Sequence, residues 1–350
     1  MSMAAKARLP NSPATWLATA MGMALLGWML YKVFNWAVWH AVFQPDAAAC
    51  QTLAHQGACW GVIQEKARPI LLGHYPYESQ WRPVAVLVSY ASIGLLAYLA
   101  GWRRVASRAG LAVAMVTLLI GSIVMRGGVL GLSTVPFDAW GGLPLTLWLF
   151  ALSLLASLPL AVGLALARRS SRAWVSLPAT VLIELVRGVP LVTLLFMAAF
   201  MLPMLLPQDR PVALIWRAAF ALTLFSAAYL AEVVRSGLQT IPSEQSEAAA
   251  VLGLTWWQTQ WRVVLPQAMR AVLPTLTGHA IGLLKDSSLV MVIGLHELTG
   301  GLSLSLGGDP IWRPFYLEAY LFVGLIYLLM CLGLSRAGRA LELRWAKGIH

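Results

Sequence analysis

The residues of this chain most able to do chemistry are charges set inside or beside apolar runs. Glu184 and Arg187 stand three positions apart and can share one helix face and pair there, and Glu232 and Arg235 repeat that spacing. Lys285 and Asp286 are adjacent, so on a helix they point about 100° apart and need different partners, with Ser287 and Ser288 adding short donors beside them. A charge in hydrocarbon is costly unless it is paired or faces a polar passage. Catalytic chemistry has less to stand on. The 6 histidines are scattered, no cluster has metal-ligand spacing, and no lysine follows a glycine, which excludes a Gly-x-x-x-x-Gly-Lys phosphate loop. Cys50 and Cys59 lie in a polar segment where a disulfide and two free thiols are both chemically open, and Cys331 reads as a small buried hydrophobe.

The elements that must position these residues are membrane helices. Of 350 residues 59% are hydrophobic and 11% charged, with a mean hydropathy of +0.73. A soluble body would have too little polar surface to cover such a chain, so a secreted or cytosolic enzyme is excluded and an all-α polytopic protein is expected. Apolar runs predict eight spans, at 16–42, 83–101, 110–126, 142–167, 176–206, 212–235, 273–294 and 315–335. The run 176–206 is long and interrupted by Gly188 and Pro190, which predicts a kinked span or a crossing helix preceded by an interfacial piece. The stretch from Lys6 to Pro10 has no small-residue cleavage pattern after it and reads as the flank of a retained anchor.

The net charge of +11 forms no stripe or recognition helix, so nucleic acid is not expected as a partner. The bases instead follow the positive-inside rule. With the N-terminus cytoplasmic, Lys6, Arg8, Arg103, Arg104, Arg108, Arg168, Arg169, Arg172, Arg235, Arg262, Arg270, Arg336, Arg339, Arg344 and Lys347 fall inside and outnumber Lys66, Arg68, Arg82, Arg126, Arg210, Arg217 and Arg313 outside. Both termini are then cytoplasmic. Trp16, Trp39, Trp81, Trp102, Trp140, Trp174, Trp216 and Trp312 fall near the span ends, where headgroup anchoring is expected.

The loop after the sixth span is the most informative segment. Pro242 and Ser243 predict a helix entry, with Glu244 and Glu247 near its positive end, and Ala248, Ala249, Val251 and Leu252 supply the apolar contacts of a short amphipathic helix. Gly253 removes a side chain where a turn or partner comes close, and Leu265-Pro266 is expected to stop the helix or redirect the chain. Glu247, Ala248, Ala249 and Gly253, followed by Leu254 and by Leu265-Pro266-Gln267-Ala268, resemble the Glu-Ala-Ala signature of permease subunits of bacterial ATP-binding-cassette importers. Further segments resemble the polar amino acid group of these permeases: Gly142 to Leu147, Glu184 to Leu191, Tyr229 to Gly237, Leu284 to Leu289, and Glu297-Leu298.

The resemblance implies a five-helix MetI-like core at 140–337, with the coupling loop at 236–272. An extension at 1–139 carries three spans and an outside loop, and a tail occupies 338–350. Such an extension is similar to that of the M-type subunits of general L-amino-acid permeases, which pair with a second related permease. Gly278-His279 departs from the small residue or Asn common there. Also implied are two ATPase subunits that carry ATP and Mg, a periplasmic amino-acid-binding protein, and a bacterial inner-membrane location. No catalysis or bound cofactor is expected on this chain. An amino acid in passage has a carboxylate and an ammonium to satisfy, so Lys285, Asp286, Ser287 and Ser288 are candidates for the translocation path or for an internal structural network. Glu184, Arg187, Gly188, Pro190, Glu232 and Arg235 are candidates for packing and coupling. The rival readings are an ion-coupled secondary transporter, which would favour internal repeats not found here, and a non-transporting assembly subunit.

Overall fold

The computed structural model describes residues 13–52, 56–99, 108–207 and 211–346. Lys6, Arg8, Arg103, Arg104, Arg210, Lys347 and Trp102 lie outside the described residues. Helices carry the fold, and two isolated β-bridges take the place of any sheet among the described residues. The chain divides into two compact units, 1–67 with 309–319 and 68–308 with 320–350.

In the first unit, α1 (Pro13–Phe34) runs on through a π-helical turn to Trp39 and buries none of its side chains. An all-round apolar helix of that length suits lipid. After α2 (Ala47–Thr52), Cys50 and Cys59 form a disulfide with Cα atoms 5.5 Å apart, just before the start of α3 (Gly61–Leu72). Lys66 pairs with Asp309 at 2.7 Å, and the Cys59 amide donates to buried Glu318 at 3.0 Å.

The second unit holds α4 (Trp81–Leu99), α5 (Arg108–Arg126), α6 (Gly142–Arg168), α7 (Ala173–Gly188), α8 (Leu191–Phe196) and α9 (Leu202–Leu205). It continues with α10 (Leu214–Gln239), α11 (Ser243–Val251), α12 (Trp256–Thr259), α13 (Leu265–Ala271), α14 (Leu273–Asp286), α15 (Leu298–Gly307) and most of α16 (Tyr316–Ala346).

Among the described residues five helices are long and apolar enough to cross a bilayer: Pro13–Trp39, Gly142–Arg168, Leu214–Gln239, Leu273–Ile293 and Arg313–Leu343. A sixth arises if Ala173–Gly188 and Leu191–Leu205, bent by 106°, count as one broken span. The break falls at Gly188 and Pro190, because Val189 before the proline takes an extended backbone and ends α7. Of the other two expected spans, 83–101 coincides with α4 and ends outside the described residues. The apolar stretch of α5, Ala112–Arg126, reaches only about 22 Å at 1.5 Å per residue, short of a hydrocarbon core of about 30 Å.

The second unit is centred on α6 against α10. Leu149, Ser153, Ser157, Ala161 and Ala165 recur every fourth residue on α6 and are fully buried. Ala218, Leu222, Ser226, Leu230, Val234 and Leu238 do the same on α10, flanked by buried Ala219, Ala227, Ala228 and Ala231. The small residues among them, above all the serines and alanines of α6 and the alanines of α10, let the backbones approach closely, the usual source of helix association in lipid.

Two of the tryptophans expected at the headgroups are instead inside the protein. Trp140 packs edge-on against Phe137 and Trp148, at 5.2 and 5.7 Å between ring centroids, and Trp148 against Trp216 at 5.2 Å. Trp140 and Trp312 are buried, whereas Trp16, Trp39, Trp81, Trp174 and Trp216 remain exposed. The rings of Trp140 and Trp148 close the starts of α6 and α10, where bulk is needed beyond the small-residue ridges.

Overfilling that crossing should be costly. Ala161→Leu is expected to destabilise the protein by about 1–3 kcal/mol and lower the melting temperature in detergent, whereas Leu160→Ala on the exposed side leaves it nearly unchanged.

Candidate coupling site

The loop between α10 and α14 rests on a platform made by the end of the α6–α10 pair. Ala165, Val234, Leu238, Val264, Leu265 and Ala268 form one buried cluster joined by Ile241 and Met269. A side chain at Gly237 would lie 2.8 Å from the Ala268 carbonyl, so glycine is what allows α13 to press against α10. Arg169 ties the same junction by donating to the Leu238 carbonyl at 3.1 Å.

On this platform stands α11. Glu247 and Ala248 are exposed, Ala249 is buried, and Val251 and Leu252 are exposed at the end of the helix. The expected amphipathic helix is therefore one anchored through Ala249 and open elsewhere. Gly253 ends it at φ +75°, with the Gly253 amide donating to Ala250 and the half-buried Leu254 donating to Ala249, a Schellman turn. Nothing lies within 4 Å of where a Gly253 side chain would begin, so the glycine serves backbone conformation and not close approach.

Leu265-Pro266 does not stop or redirect the chain as expected. Pro266 stands in the first turn of α13, where its missing amide costs little, and a π-helical turn at 260–264 joins it to α12. Trp256, Trp257 and Trp261 are exposed on this segment.

The charged candidates converge just beyond the platform, where Glu232 and Arg235 pair as their spacing suggests and Glu184 and Arg187 do not. Glu184 pairs with Arg168 at 2.7 Å and not with Arg187, whose guanidinium reaches Glu232 at 3.9 Å. Glu232 also receives Arg168 at 2.5 Å and Arg235 at 2.9 Å, the latter through both carboxylate oxygens. One half-buried carboxylate thus holds arginines from α6, α7 and α10. Sequence reasoning used Arg168 only to orient the chain, although a base closing a long apolar helix was a signal for it.

The translocation candidates do not converge. Ser287 and Ser288 return their hydroxyls to the Leu284 and Lys285 carbonyls, and Lys285 and Asp286 form no ion pair among the described residues. A polar cluster does form elsewhere: Ser226 contacts Ser157 at 3.0 Å and His279 Nε2 at 2.9 Å, joining α10, α6 and α14.

A fully buried carboxylate, Glu297, lies in a segment that carries the resemblance but was not among the site residues expected from the sequence. It caps α15 by accepting from the Thr299 and Gly300 amides, both at 2.9 Å, and from Tyr327 at 3.0 Å and Thr146 at 3.2 Å. The Leu298 amide in turn donates to Thr146 at 3.0 Å. Burial pushes the Glu297 carboxyl above the ordinary carboxylate range, against the pull of those four donors.

Residues 157–347 match the family described as binding-protein-dependent transport system inner membrane component. The chain belongs to this family. The match covers the platform, the loop, the Glu232 cluster and Glu297 itself, and makes this permease a multi-pass inner-membrane subunit that is not catalytic, working with a separate ATPase and a binding protein. The permease is 37% identical over 335 residues to the inner membrane amino-acid ABC transporter permease protein YhdY of Escherichia coli K12, covering 92% of this chain and 88% of that one. It is 32% identical to the glutamate/glutamine/aspartate/asparagine transport system permease protein BztC of Rhodobacter capsulatus, covering 95% and 91%. Among solved structures, an amino acid ABC transporter crystallised with histidines aligns at TM-score 0.51 and 32% identity, over 58% of this chain and 92% of that one.

Two measurements check these clusters. Glu232→Gln in the permease is expected to lower the melting temperature more than Arg187→Gln, because it leaves three guanidiniums without their shared partner. At Glu297 the folded protein keeps its proton to higher pH than the unfolded chain. The group's contribution to stability is full below the ordinary glutamate pKa and falls as pH rises through the raised value, so Glu297→Gln should flatten the dependence of melting temperature on pH above 4.5.

Proposed function

We propose that this permease imports polar or general L-amino acids from periplasm to cytoplasm, driven by ATP hydrolysed on two partner ATPase subunits that carry the nucleotide and Mg. A periplasmic amino-acid-binding protein delivers the substrate, and a second related permease completes the translocation unit. Both termini, and the loop 236–272, lie on the cytoplasmic side.

The observation that carries this reading is the exposed helix α11, held through Ala249 on the platform at the end of α6 and α10. Force applied to α11 from below reaches both helices through packed side chains, and through Glu232 it also reaches α7. Closure of the ATPase pair then turns the bundle outward and hydrolysis resets it, a two-arrangement cycle whose populations the partners shift. The substrate class is supported by the amino acid transport for which YhdY and BztC are named, each matched over more than nine-tenths of this chain.

The test is uptake of labelled L-amino acids by proteoliposomes holding the whole complex. Gly253→Val forces a β-branched residue into the left-handed region at about 1–2 kcal/mol. It is expected to cut uptake severalfold while ATP hydrolysis continues, because the turn that positions α11 is lost. Uptake that persists without the ATPase and follows an ion gradient would replace this reading with secondary transport.

A further inference from the structure

The outward face of α14 is polar at a depth where lipid would demand hydrocarbon. Thr275, Gly278, His279, Gly282, Lys285 and Asp286 recur at helical spacing on one arc of about 120°, and every one is at least partly exposed. Leu284 on the opposite side and Leu283 beside the arc are buried against the chain. By contrast α16 exposes Leu317, Leu321, Leu325, Leu328, Leu329 and Leu332. An arc carrying imidazole, ammonium and carboxylate faces a polar passage or another protein.

The hydrogen-bond inventory fixes what His279 offers to that arc. Ser157 spends its only proton on the Leu154 carbonyl at 3.0 Å, so in its contact with Ser226 the donor is Ser226. Ser226 then has no proton left, and the 2.9 Å contact with His279 requires Nε2–H to donate to the Ser226 oxygen. In the neutral ring this leaves Nδ1 as a bare lone pair, an acceptor. Among the described residues Nδ1 meets no donor, and it is not shut away from the surface of the chain. Tyr229, stacked on the ring at 6.4 Å, braces it.

We propose that His279 Nδ1 is a binding point for a hydrogen-bond-donating cationic group, the α-ammonium of the transported amino acid, on a passage lined by this arc and closed by the second permease. The proposal rests on the reading of the chain as an amino acid importer. The Ser157–Ser226–His279 chain is then a device that fixes the tautomer as well as a pin between helices. Recognition of a cation by a neutral acceptor lets the site hold the ammonium without a fixed negative charge that would detain it.

Two substitutions separate these roles. In His279→Gln the amide can replace the Nε2 contact to Ser226 and leaves nothing at the Nδ1 position, whereas in His279→Asn the amide occupies the Nδ1 position and the pin to Ser226 is lost. The measurement is equilibrium binding to the intact complex in nanodiscs without binding protein. Its probes are labelled L-glutamate and L-glutamine, each compared with its 2-hydroxy acid, which lacks the ammonium.

His279→Gln is expected to weaken amino acid binding about tenfold, the scale of one hydrogen bond to a charged group, with the melting temperature and hydroxy-acid binding unchanged. His279→Asn is expected to keep binding within about threefold while lowering the melting temperature. The opposite pattern, or equal loss for amino and hydroxy acids in both variants, overturns the proposal and leaves His279 a packing residue. Wild-type uptake in the same preparation decides the other question: if the wild-type complex imports amino acids and His279→Gln binds them normally, only this assignment fails, whereas a wild-type complex that imports none of them removes the importer reading itself.

Discussion

The close crossing of α6 and α10 is the contact on which the rest of the second unit depends. Small side chains at every fourth position of α6, Ser153, Ser157, Ala161 and Ala165, and the buried Ala219, Ser226, Ala227 and Ala231 of α10 remove bulk that would otherwise hold the two backbones apart. That approach brings Arg168 to Glu232 at one end, Ser157 to Ser226 in the middle, and the ring of Trp148 to that of Trp216 at the other end. It also forms the surface on which the loop helices α11 and α13 stand.

Polar groups are admitted to this apolar body at three levels, each a cluster of mutually bonded side chains. Glu232 gathers three arginines, the two serines pass one chain of hydrogen bonds to His279, and Glu297 takes four donors at the start of α15. Where water is scarce, an unengaged charge costs more than any single contact returns, so such groups are found together. Tyr229 links two of the levels: its ring lies against His279 and under the Arg187 guanidinium, and its hydroxyl donates to the Arg187 carbonyl at 3.4 Å. A displacement at the Glu232 cluster therefore has a packed route to the middle of the bundle.

Some features were legible because they are written locally. The turn at Gly253 needs only one residue free to take positive φ, and the helix start at Pro242-Ser243 needs only its own neighbours. The 106° break at Gly188 and Pro190 follows from the bar a proline places on the residue before it. Others were half legible. Glu184, Arg187, Glu232 and Arg235 stood out as charges in apolar surroundings, yet spacing on one helix suggested the pair Glu184 with Arg187, and a third helix supplied Arg168 instead. The tryptophans at span ends were read by composition, which cannot tell a headgroup from the interior of an aromatic cluster, and Trp140 and Trp312 proved buried.

By itself the sequence determined that the chain is helical and lies in a membrane, roughly where the apolar helices run, and that residues 236–272 resemble the coupling loop of importer permeases. Hydrophobicity and backbone preference add up residue by residue, so they can be summed without knowing the fold. Only the tertiary structure decided which arginine answers Glu232, that Glu297 and Thr146 close one network across 151 positions of sequence, and which nitrogen of His279 is left open. Hydrogen bonds and ion pairs act over about 3 Å, and whether two groups come that close is settled by how whole helices pack.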